Sequence, residues 1–160
     1  MKPLKWVVVT LCCALLSACA PAEQSNQTGE DNMTNDHEIR ELAQGGQSRE
    51  SAERMMIVRD PEAFERIWAL TRQQGEVPAV DFDQEMVIAA FMGERRTGGY
   101  SIHVEELRQE GDVLRVHVRM ESPGENCMTT QAITRPFQLV RVPRLDGGVQ
   151  FATRQQSVDC

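Results

Sequence analysis

The sequence predicts a mainly β domain of the α+β class: an antiparallel, sandwich-like sheet assembly with one helix packed near its N-terminal end. Three observations carry this. A single segment, opening at Asp60-Pro61-Glu62, combines a helix-start signal with helical spacing of apolar residues. Met86 to Met92 is an unbroken apolar run of strand length. Tyr100–Leu107 and Asp112–Met120 alternate apolar and polar residues with period two, as half-buried strands do.

The chain opens with Lys2 and Lys5, then Trp6 to Leu16, eleven residues of which only Thr10 is polar. That run is short of the ~20 residues a spanning helix needs and suits the apolar core of a secretory leader. It closes on Leu16-Ser17-Ala18-Cys19, which resembles the lipobox of bacterial lipoproteins. Small residues let the scissile peptide enter a protease cleft, and the thiolate takes a diacylglyceryl thioether. The resemblance implies cleavage before Cys19, lipidation with palmitate-type chains there, and N-acylation. Two or more chains anchor stably where one holds only marginally. Ala20, where an Asp would signal inner-membrane retention, favours the outer membrane, with the domain in the periplasm. Residues 1–18 are therefore expected to be a signal peptide, 19–48 a lipidated disordered tether, and 49–160 the globular domain. The polar tract from Pro21 through Asp36 has too few aliphatic residues to offset the entropy of ordering. His37 to Leu42 reads as a brief helical turn.

Both lysines lie in the leader, so 15 arginines face 24 acidic residues beyond it, a formal charge of −9. This argues against nucleic acid as a partner and against electrostatic binding to anionic lipid. No second long apolar stretch follows the leader. Cys12 and Cys13 leave with it, Cys19 takes the lipid, and Cys127 and Cys160 remain. In an oxidising compartment an isolated pair predicts a disulfide. Closing a loop of about 33 residues stabilises by roughly 3–4 kcal/mol in the chain-entropy model.

Within the domain, Glu53 to Val58 reads as the first strand. Asp60 is a helix cap, Pro61 fits the first helical position, and Glu62 is acidic in the first turn. Phe64, Ile67 and Trp68 form the apolar face of a helix that fades near Gly75, with Phe64 and Trp68 holding it against the sheet. Met86–Met92 is a strand buried on both faces. Gly93–Gly99 is a loop. Between the alternating strands, a three-residue loop, Gln109-Glu110-Gly111, sets Val104 opposite Val116 and Ile102 opposite Val118, whereas a two-residue loop centred on Glu110-Gly111 crosses the faces. The same register pairs Glu105 with Arg115, Ser101 with Arg119, and His103 with His117. Further strands are expected at Gln131–Thr134, Phe137–Val142 and Val149–Arg154, the last after a turn at Gly147-Gly148.

From Val80 the chain resembles a known family. Val80-Asp81-Phe82 leads into the buried strand and is followed by Gly93-Glu94-Arg95-Arg96-Thr97-Gly98-Gly99-Tyr100-Ser101-Ile102, then Ser122-Pro123-Gly124 and Thr134-Arg135-Pro136-Phe137. This order is similar to the C-terminal domain of the PrcB family, lipoprotein subunits of a bacterial surface protease complex, over roughly residues 50–145. The resemblance implies binding or stabilising a protease without catalysis. Thr97, Gly98, Gly99 and Tyr100, beside Arg135, Pro136 and Phe137, also resemble the paired loops of chagasin-type cysteine-protease inhibitors, by analogy of loops alone. These seven residues are the candidate contact edge. A tight turn in which the glycines serve backbone geometry and Tyr100 is core is the alternative.

Other constellations are weaker. Cys127 with His103 or His117 supplies the ingredients of a thiol nucleophile and base, but Cys127 has an expected disulfide partner, and no Gly-x-Ser-x-Gly occurs. His103 opposite His117 allows a metal or small-ligand site, with Glu105 as the one nearby third ligand. Glu94-Arg95-Arg96 is a basic loop that can steer an acidic partner. The reading is therefore a non-catalytic envelope lipoprotein that needs no cofactor and binds a protease or other envelope protein. A structural lipoprotein without such a partner and a ligand-binding domain using the histidines are the alternatives.

Overall fold

The computed structural model describes residues 38–160. The leader, Cys19 and most of the expected tether lie outside the described residues. The elements in chain order are β1 (Arg40–Gly45), β2 (Arg54–Val58), α1 (Pro61–Trp68), β3 (Glu85–Phe91), β4 (Ser101–Glu110), β5 (Val113–Pro123), β6 (Phe137–Pro143) and β7 (Gly148–Val158). They form a four-stranded sheet ordered β1-β6-β3-β2 and a three-stranded sheet ordered β4-β5-β7. Among the described residues no helix is long and apolar enough to cross a membrane.

The layers follow from β3. Met86, Ile88 and Ala90 point to the second sheet and join Val140, Val142, Ile102, Val104, Leu107, Leu114, Val116, Val118 and Met120 in the core between sheets. The intervening Val87, Ala89 and Phe91 point the other way, to Phe64 and Ile67 of α1. The unbroken apolar run is thus a central strand covered by a sheet on one face and a helix on the other.

The helix begins as its residues dictate. Asp60 has extended backbone and its Oδ1 accepts from the Ala63 N–H at 2.7 Å. Pro61 occupies the first turn, where no donor is lost. α1 ends at Trp68, before the expected fade near Gly75. The Thr71 hydroxyl donates to the Trp68 carbonyl at 2.8 Å and closes the last turn.

Four expectations are corrected. The ordered chain starts earlier than residue 49: β1, placed in the tether and partly read as a helical turn, pairs antiparallel with β6. A strand at Gln131–Thr134 is absent; only Thr134 forms a bridge, to Arg95. Backbone groups flanking this stretch go to separate neighbours, the Thr130 carbonyl to Gly98 and the Arg135 N–H to Gly46. The β4–β5 connection is a two-residue turn, Gly111-Asp112, with Glu110 opposite Val113. Gly111 has φ +61°, the positive value that the first centre of such a turn favours. A bulge between Val104 and Glu106 absorbs the extra residue. It returns Val104 to face Val118 and puts Ile102 opposite Met120 and Ser101 opposite Glu121. Finally, β7 runs parallel to β5 over its full length, so the second sheet is mixed. Parallel neighbours require a crossover, and β6, lying in the other sheet, is part of it.

Phe137 is 1% exposed and stacks on Phe91 at 6.2 Å. Phe137→Ala is expected to lower unfolding free energy by about 3–5 kcal/mol in urea denaturation. A loss under about 1 kcal/mol would contradict its place in the core.

Candidate functional site

The loop after β3 is held from two sides. Gly98 N–H donates to the Thr130 carbonyl at 3.0 Å, and the Thr134 hydroxyl donates to the Thr97 carbonyl at 2.7 Å. Gly99 has φ +86°, and a Cβ there would lie 3.0 Å from the Pro123 side chain. The glycines therefore meet a backbone requirement, while Arg96 and Gly99 stay exposed. Tyr100 is partly buried against the inter-sheet core, with the Arg95 guanidinium 5.9 Å from its ring centre.

The second expected loop is placed differently. Pro136 and Phe137 are buried, which takes both off the exposed loop edge. Arg135 is half-buried and donates to Glu94 at 2.6 Å. Arg95 lies 3.6 Å from Glu53. Of the basic loop, only Arg96 lacks an ion pair among the described residues. The edge thus reduces to exposed Glu94, Arg96 and Gly99 with half-buried Thr97 and Gly98, beside the segment 124–134.

That segment holds what the sequence reading missed. Met128 is fully exposed and Ile133 is 55% exposed, both large apolar side chains beside the Gly98–Thr130 bond. Their one sequence signal was apolar residues in a stretch otherwise rich in turn formers. Next to Met128, the Cys127 and Cys160 sulfurs lie within disulfide distance, with Cα atoms 5.4 Å apart, inside the range a disulfide requires. Gly124 N–H also donates to the Val158 carbonyl at 2.9 Å, so the segment is fastened to the end of β7.

The histidines do not meet. With the bulge in place, His103 faces Arg119 and His117 faces Glu106. Glu105, the expected third ligand, is occupied by Arg119 at 2.5 Å and Arg154 at 2.9 Å. Among the described residues no cluster suits a metal ion. The Arg154 guanidinium, and then Arg119, hold the Glu105 carboxyl below its ordinary range.

His103 sits in a different arrangement, its ring nitrogens against Gln44 and Ser101, two residues that line a groove of about 410 Å³ between β1 and β4. Its Nδ1 is 3.1 Å from the Gln44 amide nitrogen and its Nε2 is 2.9 Å from the Ser101 hydroxyl, which donates to Glu121. With Gln44 donating to Nδ1, the imidazole proton lies on Nε2 and points to Ser101. The Ser101 proton then points to Glu121. A serine nucleophile needs the reverse, an imidazole nitrogen free to accept the hydroxyl proton. The Cys127 sulfur lies beside that of Cys160.

Residues 86–143 match the family model described as PrcB C-terminal. The match runs from β3 through β6 and includes the loop edge and His103. It is narrower than the expected span of about 50–145 and leaves out β1, β2, α1, β7 and Cys160. No curated protein and no solved structure matches the chain.

His103 is held below the ordinary imidazole value, first by burial and then by Arg119, against the pull of Glu105 and Glu41. The unfolded chain then binds the proton first as pH falls. Stability is full above the unfolded value of 6.5 and declines as pH falls through it toward the folded value. Glu105, also depressed, adds a loss in the same direction at lower pH. The thermal midpoint should therefore drop between about pH 7.5 and about pH 5.5, and His103→Gln should shrink that drop. An equal drop in the variant would contradict the assignment.

Proposed function

We propose that this chain is a non-catalytic, protein-binding lipoprotein of the bacterial envelope, acting as an accessory or inhibitory partner of a protease. The family match supports association with a protease complex. The observation that carries the reading is the pair of exposed apolar side chains, Met128 and Ile133, on a segment hydrogen-bonded to the Gly98-Gly99 loop. Scattered exposed apolar residues are common, but Met and Arg at one braced edge have the composition of interface centres. Thr97, Gly98, Gly99 and Arg96 complete that edge, and Tyr100 and Arg135 support it from beneath. The Cys127–Cys160 pair, oxidised outside the cytoplasm, would keep Met128 in a fixed position. Bracing of this kind lowers the ordering entropy lost on binding. Cys19 would anchor the chain to the outer membrane.

The test is co-purification of protease activity with the full tagged chain from detergent-solubilised envelope, against Met128→Ser/Ile133→Ser. Both residues are exposed, so the variant's stability should stay within about 0.5 kcal/mol. Recovered protease should fall by about tenfold or more, a loss of ~1.4 kcal/mol in binding. Equal recovery, or none from either, would leave a structural lipoprotein. A rise or fall in protease turnover on adding the chain separates accessory from inhibitor. Two companion outcomes follow: Cys19→Ser should move the chain out of the membrane fraction, and a thiol alkylator should label Cys127 and Cys160 only after reduction.

A further inference from the structure

A second recognition site lies where α1 ends. Arg49, Trp68, Arg72, Gln73 and Gln74 line an open groove of about 580 Å³. In the described part of this acidic chain most arginines have a carboxylate partner. Arg49, Arg59, Arg72 and Arg96 lack an ion pair among the described residues, and two of these four share the groove. Arg59 is bonded to the Leu145 carbonyl, and Arg96 belongs to the loop edge.

The groove is built, not incidental. Arg72 has φ +59°, a left-handed backbone that bulky side chains rarely adopt and that persists only where neighbours enforce it. The enforcing contacts are visible. Thr71 is 1% exposed, and its hydroxyl bonds Trp68 on one side and the Gln73 N–H on the other. Arg49 N–H donates to the Leu70 carbonyl at 2.7 Å, which fixes the opposite wall. Two arginines without an ion pair, two neutral amides and the half-buried Trp68 therefore line one groove. A planar guanidinium fork matches a carboxylate in bidentate fashion, and an indole takes the apolar part of the same ligand.

We propose that this groove binds a carboxylate-bearing peptide segment: an acidic residue between Arg49 and Arg72, with an adjacent apolar side chain on Trp68. The segment would belong to the protease-complex partner, and that identification of its source rests on the function proposed above. Geometry favours a protein over a lipid headgroup. The chain leading to Arg49 is fastened to the loop edge: Arg135 N–H donates to the Gly46 carbonyl, and the Gln47 amide donates to the Ile133 carbonyl at 3.1 Å. One partner can cover both.

The chain offers its own reporter. Its two tryptophans are Trp6, in the leader, and Trp68. In the full chain carrying Trp6→Phe, fluorescence reads Trp68 alone. The probe is an N-acetylated, C-amidated Glu-Glu-Leu-Glu peptide, with its Gln-Gln-Leu-Gln twin as control. The acidic peptide should give a saturable change in Trp68 emission, and the twin should bind about tenfold weaker or less. Arg72→Gly removes a guanidinium and suits the positive φ, so its thermal midpoint should hold or rise while peptide binding falls by about tenfold or more. Equal binding of the two peptides, or full binding by the folded Arg72→Gly variant, would overturn the proposal. So would a Trp68 response to phosphatidylglycerol vesicles without one to the peptide. The titration contains no protease, so its failure is separate from failure of the co-purification.

Discussion

The domain is organised by a strand with no solvent face. β3 sends alternate side chains into two cores, and each core needs its own cover. Leaving either face open would expose a row of large apolar groups, each worth roughly 1.5–3 kcal/mol when buried. The helix covers one face and the second sheet the other. The place of the candidate loop follows, because the chain after β3 turns from the four-stranded sheet to β4 of the second sheet.

A second constraint joins the sheets. Gln138 is 6% exposed, and its side-chain oxygen accepts from the Val104 N–H at 2.7 Å beside the β4 bulge. Its amide nitrogen donates to Glu41 of β1 at 2.7 Å. A bulge frees a backbone donor, and a buried free donor is expensive. Gln138 satisfies it from the opposite sheet and ties β1, β6 and β4 at one point. The bulge also decides which polar residues share the outer face of the second sheet, and so why the two histidines face Arg119 and Glu106.

The parts legible in the sequence are those governed by local pattern. The Asp60 cap, the apolar run of β3 and the alternation of β5 each have a short-range cause. β1 was hidden because Arg40–Gly45 buries little beyond Ala43, so six mostly polar residues looked like tether. The parallel partner of β7 lies across a crossover that no local signal reports. The hairpin register was missed because alternation was counted through Glu105, where the bulge breaks the period. In the candidate site, the glycines of the loop were identified from the sequence, but two of their expected companions, Pro136 and Phe137, went to the core. Met128 and Ile133 went unnoticed, since exposure is a property of the assembled segment.

The proposed function puts a protease partner at the braced edge around Gly98-Gly99. A photoreactive residue in place of Arg96, irradiated in intact cells, tests it most directly, with the same group at exposed Arg108 on the outer sheet face as reference. The account predicts a covalent adduct with a protease-complex subunit from position 96 and none from position 108. No adduct from position 96, or the same adduct from both positions, would contradict it.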